Sequence, residues 1–229
     1  MKITNLNIWH GGSQNRNPLI IDYLLSTKSD LMVLTEFINK ENGKEIIQAL
    51  ELEGYQTQVS NTDGGYGLLI ASNMNFITEN SDDRWLEVYL SELDLHVLGV
   101  YIPHQPGKIK NDFWSKIREY SLKNQDKNVL ITGDFNSCTR EDSSNQSEYN
   151  PLDLKKLQES GYIDLWKEGH RDEDERFTWY YHDGTGFRLD YFLASPGLYS
   201  KLNGFKVSHD AGVRDKGISD HSAILLEYI

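Results

Sequence analysis

Two polar side chains close the apolar segment "VLITGDFNS" (residues 129–137) in a pattern that could support catalysis. Val129 to Ile131 are apolar, as in a buried strand, and Asp134 and Asn136 follow two positions apart. An ordinary turn often contains the same pair, because Asp and Asn side chains accept hydrogen bonds from nearby backbone N–H groups. The pair therefore indicates chemistry only if other strands end in comparable side chains.

Several other strand-like segments do contain or end in polar side chains. These side chains are Asn7, Glu36, Tyr101, His104, Asp190, Asp220 and His221. Carboxylate and carboxamide oxygens are hard ligands that suit Mg²⁺ or Mn²⁺, and we predict one of these ions as the cofactor. At such a site a metal ion offsets negative charge on a phosphate ester while a carboxylate aligns or deprotonates water. If these side chains converge on one rim of a sheet, the predicted chemistry is phosphate ester hydrolysis.

Asp190 interrupts the apolar segment "FRLDYFLAS" (residues 187–195). Two interpretations are open. The side chain faces solvent on an alternating strand, or it is buried and paired, because burying an unpaired carboxylate would be costly.

The elements that would position these residues alternate between strands and helices. Strands are predicted at "KITNLNI", "DLMVLTEF", "YQTQVS", "YGLLIAS", "RWLEVYL", "DLHVLGVYIP", "NVLITGDFN", "FTWYYHD", "FRLDYFLAS", "GFKVSHD" and "SAILLEYI". Helices are predicted over about 17–29 (with Asn17 as N-cap), 41–53, 112–124 and 150–161. The polar segments 138–149 and 167–176 are predicted surface loops. Mixed hairpins and helical crossovers favour α/β sheets with helices on their outer faces.

Length and composition limit the possible classes of protein. The 229 residues contain no linker or low-complexity run, so we expect a single domain over 1–229, and we expect a monomer. One cysteine excludes disulfides and a cysteine-based zinc site. The first residues lack an apolar leader and no apolar run is long enough to span a membrane, so we expect a cytoplasmic protein. The net charge of −12 opposes approach to phosphates unless metal ions intervene.

Seven segments, in order, resemble the endonuclease/exonuclease/phosphatase superfamily, which has the deoxyribonuclease I-like fold. They are "NLNIWHGG", "DLMVLTEF", "VYIPH", "VLITGDFNS", "FTW", "FRLDYFLAS" and "ISDHSAILLEY". "RLDYFLAS" is most similar to the exonuclease III and apurinic/apyrimidinic endonuclease branch. The resemblance implies a four-layered α/β/β/α sandwich of two packed mixed β-sheets, with the site at one end.

The resemblance also implies roles for the metal-binding and water-activating residues. Glu36 would be the principal metal ligand, with Asn7 and Asp220 nearby. Asp134 would orient or deprotonate the attacking water, and Asn136 would contact the scissile phosphate.

A second set of implied roles concerns the transition state. His221, oriented by Asp190, would stabilise the pentacovalent transition state, and Tyr101 would lie against the phosphate. No covalent enzyme intermediate is implied.

The chain departs from the family pattern at several positions. Thr35 precedes Glu36 where related nucleases often have Gln, and His10 lies near a position where several relatives have Asp or Asn. His10 is either a ligand-binding residue or a structural hydrogen-bonding group, and His104 replaces a common Asn as a phosphate contact. Trp179 and Phe187 either bind a base by stacking or pack in the core.

Three functional classes follow from these residues. The leading prediction is a metal-dependent phosphodiesterase acting on DNA, as an exonuclease or apurinic/apyrimidinic endonuclease of DNA repair. The alternative is a phosphoesterase for a small-molecule or lipid-borne phosphate, favoured by the net charge of −12 and by the short, acidic region after Asn136. A binding protein without catalysis is disfavoured because the complete set of catalytic residue types is present.

Overall fold

The computed structural model describes residues 1–170 and 175–228, which form two six-stranded mixed sheets. In spatial order, the first sheet contains β13 (Phe205–Asp210), β14 (Ala223–Tyr228), β1 (Lys2–Asn7), β2 (Leu31–Phe37), β4 (Gly67–Ser72) and β3 (Gln56–Val59). The second contains β5 (Ile77–Asp82), β6 (Trp85–Leu90), β7 (Leu95–Tyr101), β8 (Val129–Asp134), β12 (Asp190–Ala194) and β9 (Ile163–Asp164). A separate two-stranded ribbon pairs β10 (Trp179–Tyr180) with β11 (Gly186–Phe187).

Helices flank the two sheets, and the longer ones cover their outer faces. They are α1 (Asn17–Thr27), α2 (Glu41–Leu52), α3 (Lys108–Lys123), α4 (Pro151–Glu159), α5 (Leu165–Gly169), α6 (Pro196–Tyr199) and α7 (Gly212–Asp215). One apolar cluster, with Val33 and Val97, joins the two sheets. A second, with Leu24 and Ile46, lies beneath α1 and α2, and a third, with Trp114, lies beneath α3. This order of helix, sheet, sheet and helix confirms the predicted four-layered sandwich.

The direction of the strands brings their functional ends to one rim. β1 pairs with β2 in parallel, and β7 pairs with β8 in parallel, so their carboxyl ends coincide within each sheet. β12 and β14 run antiparallel to β8 and β1, so their amino ends reach the same rim. In the described part of the chain, no helix has the length and apolar character needed to cross a bilayer.

Most elements lie where the sequence predicted them, with some differences. β5 was not predicted, because it is a polar edge strand whose pairing shifts between Thr78 and Asn80 and so breaks the alternation of side chains. Asn17 was wrongly predicted as an N-cap. Its side chain instead donates to Asn42 O and to Glu45, joining α1 to α2. α3 begins four residues before the predicted start, and the strand predicted over 177–183 is only two residues long.

The prediction that residues 138–149 form a surface loop was wrong in part. Cys138 and Asp142 are fully buried, because Cys138 bridges to Tyr149 and Asp142 accepts hydrogen bonds from Arg188. Residues 171–174 of the other predicted loop, 167–176, lie outside the described residues.

A buried ion pair network fixes this loop to the second sheet. The guanidinium group of Arg188 donates to Asp142 at 2.6 Å and to Asp164 at 2.6 Å, and none of its surface is exposed. Burial opposes the charge on Arg188, but the two carboxylates outweigh it and raise the pKa of the guanidinium. Arg188 therefore anchors the segment that leads into Asp190.

We expect Arg188→Met to lower the free energy of unfolding by about 3–5 kcal/mol, because it leaves two buried carboxylates without a cation. Urea unfolding of the two proteins measures this difference. Lys108→Met is the control, since the pair of Lys108 with Asp112 is exposed and contributes little. Equal losses in the two variants would contradict the prediction.

Candidate active site

The predicted site residues converge in a cleft of about 290 Å³ at the shared rim. The cleft is lined by Glu36, Tyr101, His104, Asp134, Asn136, Tyr149, Trp179, Tyr181, Leu189, Asp220 and His221. Asn7 and Asp190 are buried beside it and hydrogen-bond to residues of its lining. A larger depression of about 540 Å³ adjoins the cleft at His104 but contains none of the predicted carboxylates. The convergence of polar side chains therefore identifies the smaller cleft as the candidate active site.

A break in β2 turns Glu36 into the cleft. The pairing of β2 with β4 shifts between Thr35 and Phe37, and Glu36 adopts a left-handed backbone with φ 56°. A non-glycine residue in this region is strained unless its surroundings hold it. Here the carboxylate accepts hydrogen bonds from His10 N at 2.6 Å and from Tyr101 Oη at 3.2 Å. These donors fix Glu36 at the floor of the site.

The end of β8 holds Asp134 and Asn136 in a tight turn. Gly133 has φ 144°, and a Cβ there would lie 1.9 Å from Val100 O, so only glycine allows β8 to approach β7 this closely. Asp134 Oδ1 accepts the backbone N–H of Asn136 at 2.8 Å, and Asp134 Oδ2 accepts its side-chain amide at 3.1 Å. Asn136 itself has φ 45°. The two-residue spacing thus allows the carboxamide to orient the carboxylate.

Asn7 connects the two sheets through its side-chain amide. Its amide nitrogen donates to Glu36 at 3.2 Å and to Asp134 at 3.0 Å. Its amide oxygen accepts the backbone N–H of Trp9 at 2.9 Å and has a second lone pair. The role of Asn7 as a metal ligand therefore stays a prediction.

His221 forms a buried pair with Asp190. Nδ1 of His221 lies 2.8 Å from Oδ2 of Asp190, and both residues are buried. Of the two interpretations left open for Asp190, the structure selects the buried and paired one. Burial lowers the pKa of His221, but the charge and hydrogen bond of Asp190 outweigh burial and raise it to about 10. The imidazole is therefore a cation at neutral pH.

Asp134 lies opposite Asp190 in the pairing of β8 with β12. Burial and the nearby charge of Asp190 raise the pKa of Asp134 to about 7, against the opposing charge of His221. A carboxyl group whose pKa is close to neutral is suited to accept a proton from water.

One carboxylate oxygen of Asp220 is available to bind a cation in the cleft. Its Oδ1 is buried and has no hydrogen-bond partner among the described residues, while its Oδ2 accepts the indole N–H of Trp179 at 3.3 Å. A buried carboxylate oxygen is costly without a partner. Together with the carboxylate of Glu36, it forms an all-oxygen donor set of the kind that Mg²⁺ and Mn²⁺ prefer. The residues present therefore fit a divalent ion.

Another group of possible metal ligands lies away from the cleft. Glu79, Glu87 and His96 have donor atoms within 4.8 Å of one another. His96 lies near the start of β7, about 17 Å along the strand from Tyr101 at its end. His96 already pairs with Glu79 at 2.5 Å, and Glu87 accepts a hydrogen bond from Tyr120 at 2.5 Å. These hydrogen-bond partners explain why the three side chains lie close together, and no ion is needed to explain it.

Aromatic side chains form one wall of the cleft. Trp179 lies 6.4 Å from His221 and 5.9 Å from Tyr181, measured between ring centroids. Tyr149 and Tyr181 are about half exposed, and the sequence analysis missed both. The run "FTWYYHD" could have indicated Tyr181, whereas Tyr149 lies in a segment without an informative pattern. Phe187 was predicted to bind substrate, but it is 3% exposed and packs against Tyr149, so it supports this wall from behind.

His10 lies outside the cleft lining, next to Glu36. Its ring Nδ1 is 3.2 Å from Tyr66 Oη and 3.4 Å from the Glu36 carboxylate. The backbones of Trp9 and His10 both have positive φ, which places the imidazole at the surface. Its role toward substrate stays a prediction, as does that of His104.

Comparison with known proteins places these features in a family context. The sequence model of the endonuclease/exonuclease/phosphatase family matches residues 4–221. The chain is similar to an exodeoxyribonuclease from Streptococcus pneumoniae serotype 4, with 29% identity over 154 residues, covering 57% of this chain and 54% of that protein. The chain thus spans about half the length of the curated relatives it matches.

Solved structures share the fold along the whole chain. An apurinic/apyrimidinic endonuclease from Archaeoglobus fulgidus has a TM-score of 0.78 and 20% identity, covering 100% of this chain and 99% of that one. A 3′–5′ exonuclease from Neisseria meningitidis has a TM-score of 0.79 and 21% identity, with the same coverage. Because the family's sequence model matches residues 4–221, which is nearly the whole chain, the chain belongs to the endonuclease/exonuclease/phosphatase family.

Proposed function

We propose that the protein is a divalent-metal-dependent phosphodiesterase that hydrolyses DNA by direct attack of water, as an exonuclease or apurinic/apyrimidinic endonuclease. The observation that carries this proposal is the convergence on one cleft of Asp134, the Asp190–His221 pair and Asp220, whose buried Oδ1 has no hydrogen-bond partner in the described part of the chain. The exodeoxyribonuclease relative and the endonuclease and exonuclease structures support DNA as the substrate.

In this proposal Asp134 accepts the proton of the attacking water. The hydrogen bonds from Asn7 and Asn136 hold its carboxylate in place, and its raised pKa matches it to water at neutral pH. Asn136 lines the cleft beside it and would contact the scissile phosphate. Glu36 and Asp220 would hold a Mg²⁺ or Mn²⁺ ion, which supplies charge neutralisation at the phosphate oxygens and the leaving group.

His221 stabilises the charge that develops on the phosphoryl oxygens. The bond from Nδ1 to Asp190 leaves Nε2–H of the imidazolium free to donate to a phosphoryl oxygen. Tyr101 lines the same cleft and would lie against the phosphate, while its single O–H group donates to Glu36 at 3.2 Å. No side chain of the cleft is required to form a covalent bond with the substrate.

The aromatic wall favours a nucleic acid over a phosphoester without rings. Trp179 and Tyr181 both line the cleft, and their rings could stack with an unpaired base beside the scissile phosphate. The small volume of the cleft and the net charge of −12 favour the alternative, a small-molecule or lipid-borne phosphate.

A cleavage assay tests the proposal with four substrates: a duplex with one abasic site, an intact duplex, a single strand and a small phosphodiester. We expect DNA to be cut with Mg²⁺ or Mn²⁺ and not with EDTA. Asp134→Asn and His221→Asn should each lower kcat by about 10²–10⁴-fold, because each removes a proton-transfer or charge-stabilising group. Asp126→Asn, at an exposed position, is the matched control.

Two outcomes of this assay would contradict the proposal. Turnover of the small phosphodiester alone would select the alternative substrate class. No turnover of any substrate with either metal ion would show that the retained side chains do not catalyse hydrolysis.

The protonation state of His221 can be measured in the metal-free protein. We expect ¹⁵N NMR to show an imidazolium at about pH 8, which lies above the ordinary pKa of 6.5 and below the raised pKa of about 10. Asp190→Asn removes the charge that raises the pKa and leaves the burial that lowers it, so its His221 should be neutral at the same pH. A neutral ring in the parent protein would contradict this assignment.

A further inference from the structure

Lys110 is a fully buried lysine at a core position of α3. The inward face of α3 consists of Lys110, Trp114, Ile117 and Ser121, at the spacing of a helical stripe. Lys110 is 1% exposed, whereas Lys108 and Lys116 on the same helix lie at the surface and pair with Asp112 and Asp82. An apolar side chain would fill the position of Lys110 without the cost of burying an ammonium group.

The surroundings of Lys110 compensate its charge only in part. In the described part of the chain, no carboxylate is within ion-pair distance of its Nζ, and the nearby Asp153 pairs with Arg118. Burial lowers the pKa of Lys110 to about 8, although the charge of Asp134 acts in the opposite direction. A buried ammonium group without a neutralising partner lowers the stability of the fold, so we infer that Lys110 has a role other than stabilisation.

The single hydrogen bond described for Lys110 leads to the turn at the end of β8. Its Nζ donates to the backbone oxygen of Asn136 at 2.6 Å. The donor groups of Asn136, its backbone N–H and side-chain NH₂, are bonded to Asp134 at the end of β8 and to the backbone oxygen of Ile102, which follows β7. Lys110 therefore adds a hydrogen bond from α3 to this left-handed turn, beside the contact of Phe135 with Trp114 on the same helix.

We propose that Lys110 is a positioning residue that holds the Asp134–Asn136 turn in the orientation needed for hydrolysis. Asp134 would contact the attacking water, and Lys110 holds the turn through the backbone oxygen of Asn136 without touching substrate or water. Small displacements of a catalytic group can cost about 10²-fold in rate, so a rigid anchor on this turn has a measurable effect. The expected fall in kcat rests on the proposed function, whereas the expected displacement of the turn rests on the geometry alone.

Lys110→Met removes the donor and keeps the length of the side chain. We expect kcat on the preferred substrate to fall about 10- to 100-fold, with KM nearly unchanged, because the turn moves and the binding surface does not. Lys110→Arg, which keeps a charged donor, should recover part of the loss. Lys123→Met, at the exposed end of α3, is the matched control and should behave as the parent protein.

A spectroscopic measurement separates failure of this inference from failure of the proposed function. The backbone and side-chain amide resonances of Asn136 should shift in Lys110→Met and not in Lys123→Met, whether or not the parent protein hydrolyses any substrate. If Lys110→Met does not fold, Lys110→Gln, with a shorter and neutral donor, provides the same comparison. Unshifted Asn136 resonances with kcat equal to that of the parent would overturn the proposal and leave Lys110 as a packing residue.

Discussion

The ion pair of His221 with Asp190 allows two buried carboxylates to lie opposite each other on neighbouring strands. Asp134 and Asp190 are register partners in β8 and β12, and each raises the energy of the other's charge. Burial and the repulsion from Asp190 raise the pKa of Asp134 to about 7, although the imidazolium of His221 compensates part of this effect. The same electrostatic balance that makes the site costly to fold makes Asp134 a suitable base.

Irregular backbone conformations at the ends of β2 and β8 position the carboxylates of the site. Glu36 and Asn136 have left-handed backbones, and Gly133 alone permits the close approach of β8 to β7. Hydrogen bonds that cross between layers hold the two left-handed residues, from Asn7 to Glu36 and from Lys110 to Asn136. Strained residues at a functional site persist because surrounding contacts determine their conformation.

The sequence predicted the parts of the site that depend on local pattern. Asp134 and His221 follow or precede apolar strands, and the direction of those strands brought them to one rim as expected. Burial was harder to predict, because it depends on what packs over a residue. The position of Phe187 behind the cleft and the buried charge of Lys110 carry no signal in their neighbouring residues. β5 was missed because its irregular pairing removes the alternation by which strands are recognised.

Calorimetric titration with Mn²⁺ determines whether the acidic rim binds a divalent cation. We expect binding to the parent protein that is lost in Glu36→Gln and kept in Glu79→Gln, which alters the other group of acidic side chains. No binding to the parent protein, or binding that is lost in Glu79→Gln and kept in Glu36→Gln, would show that the rim is not the cation site.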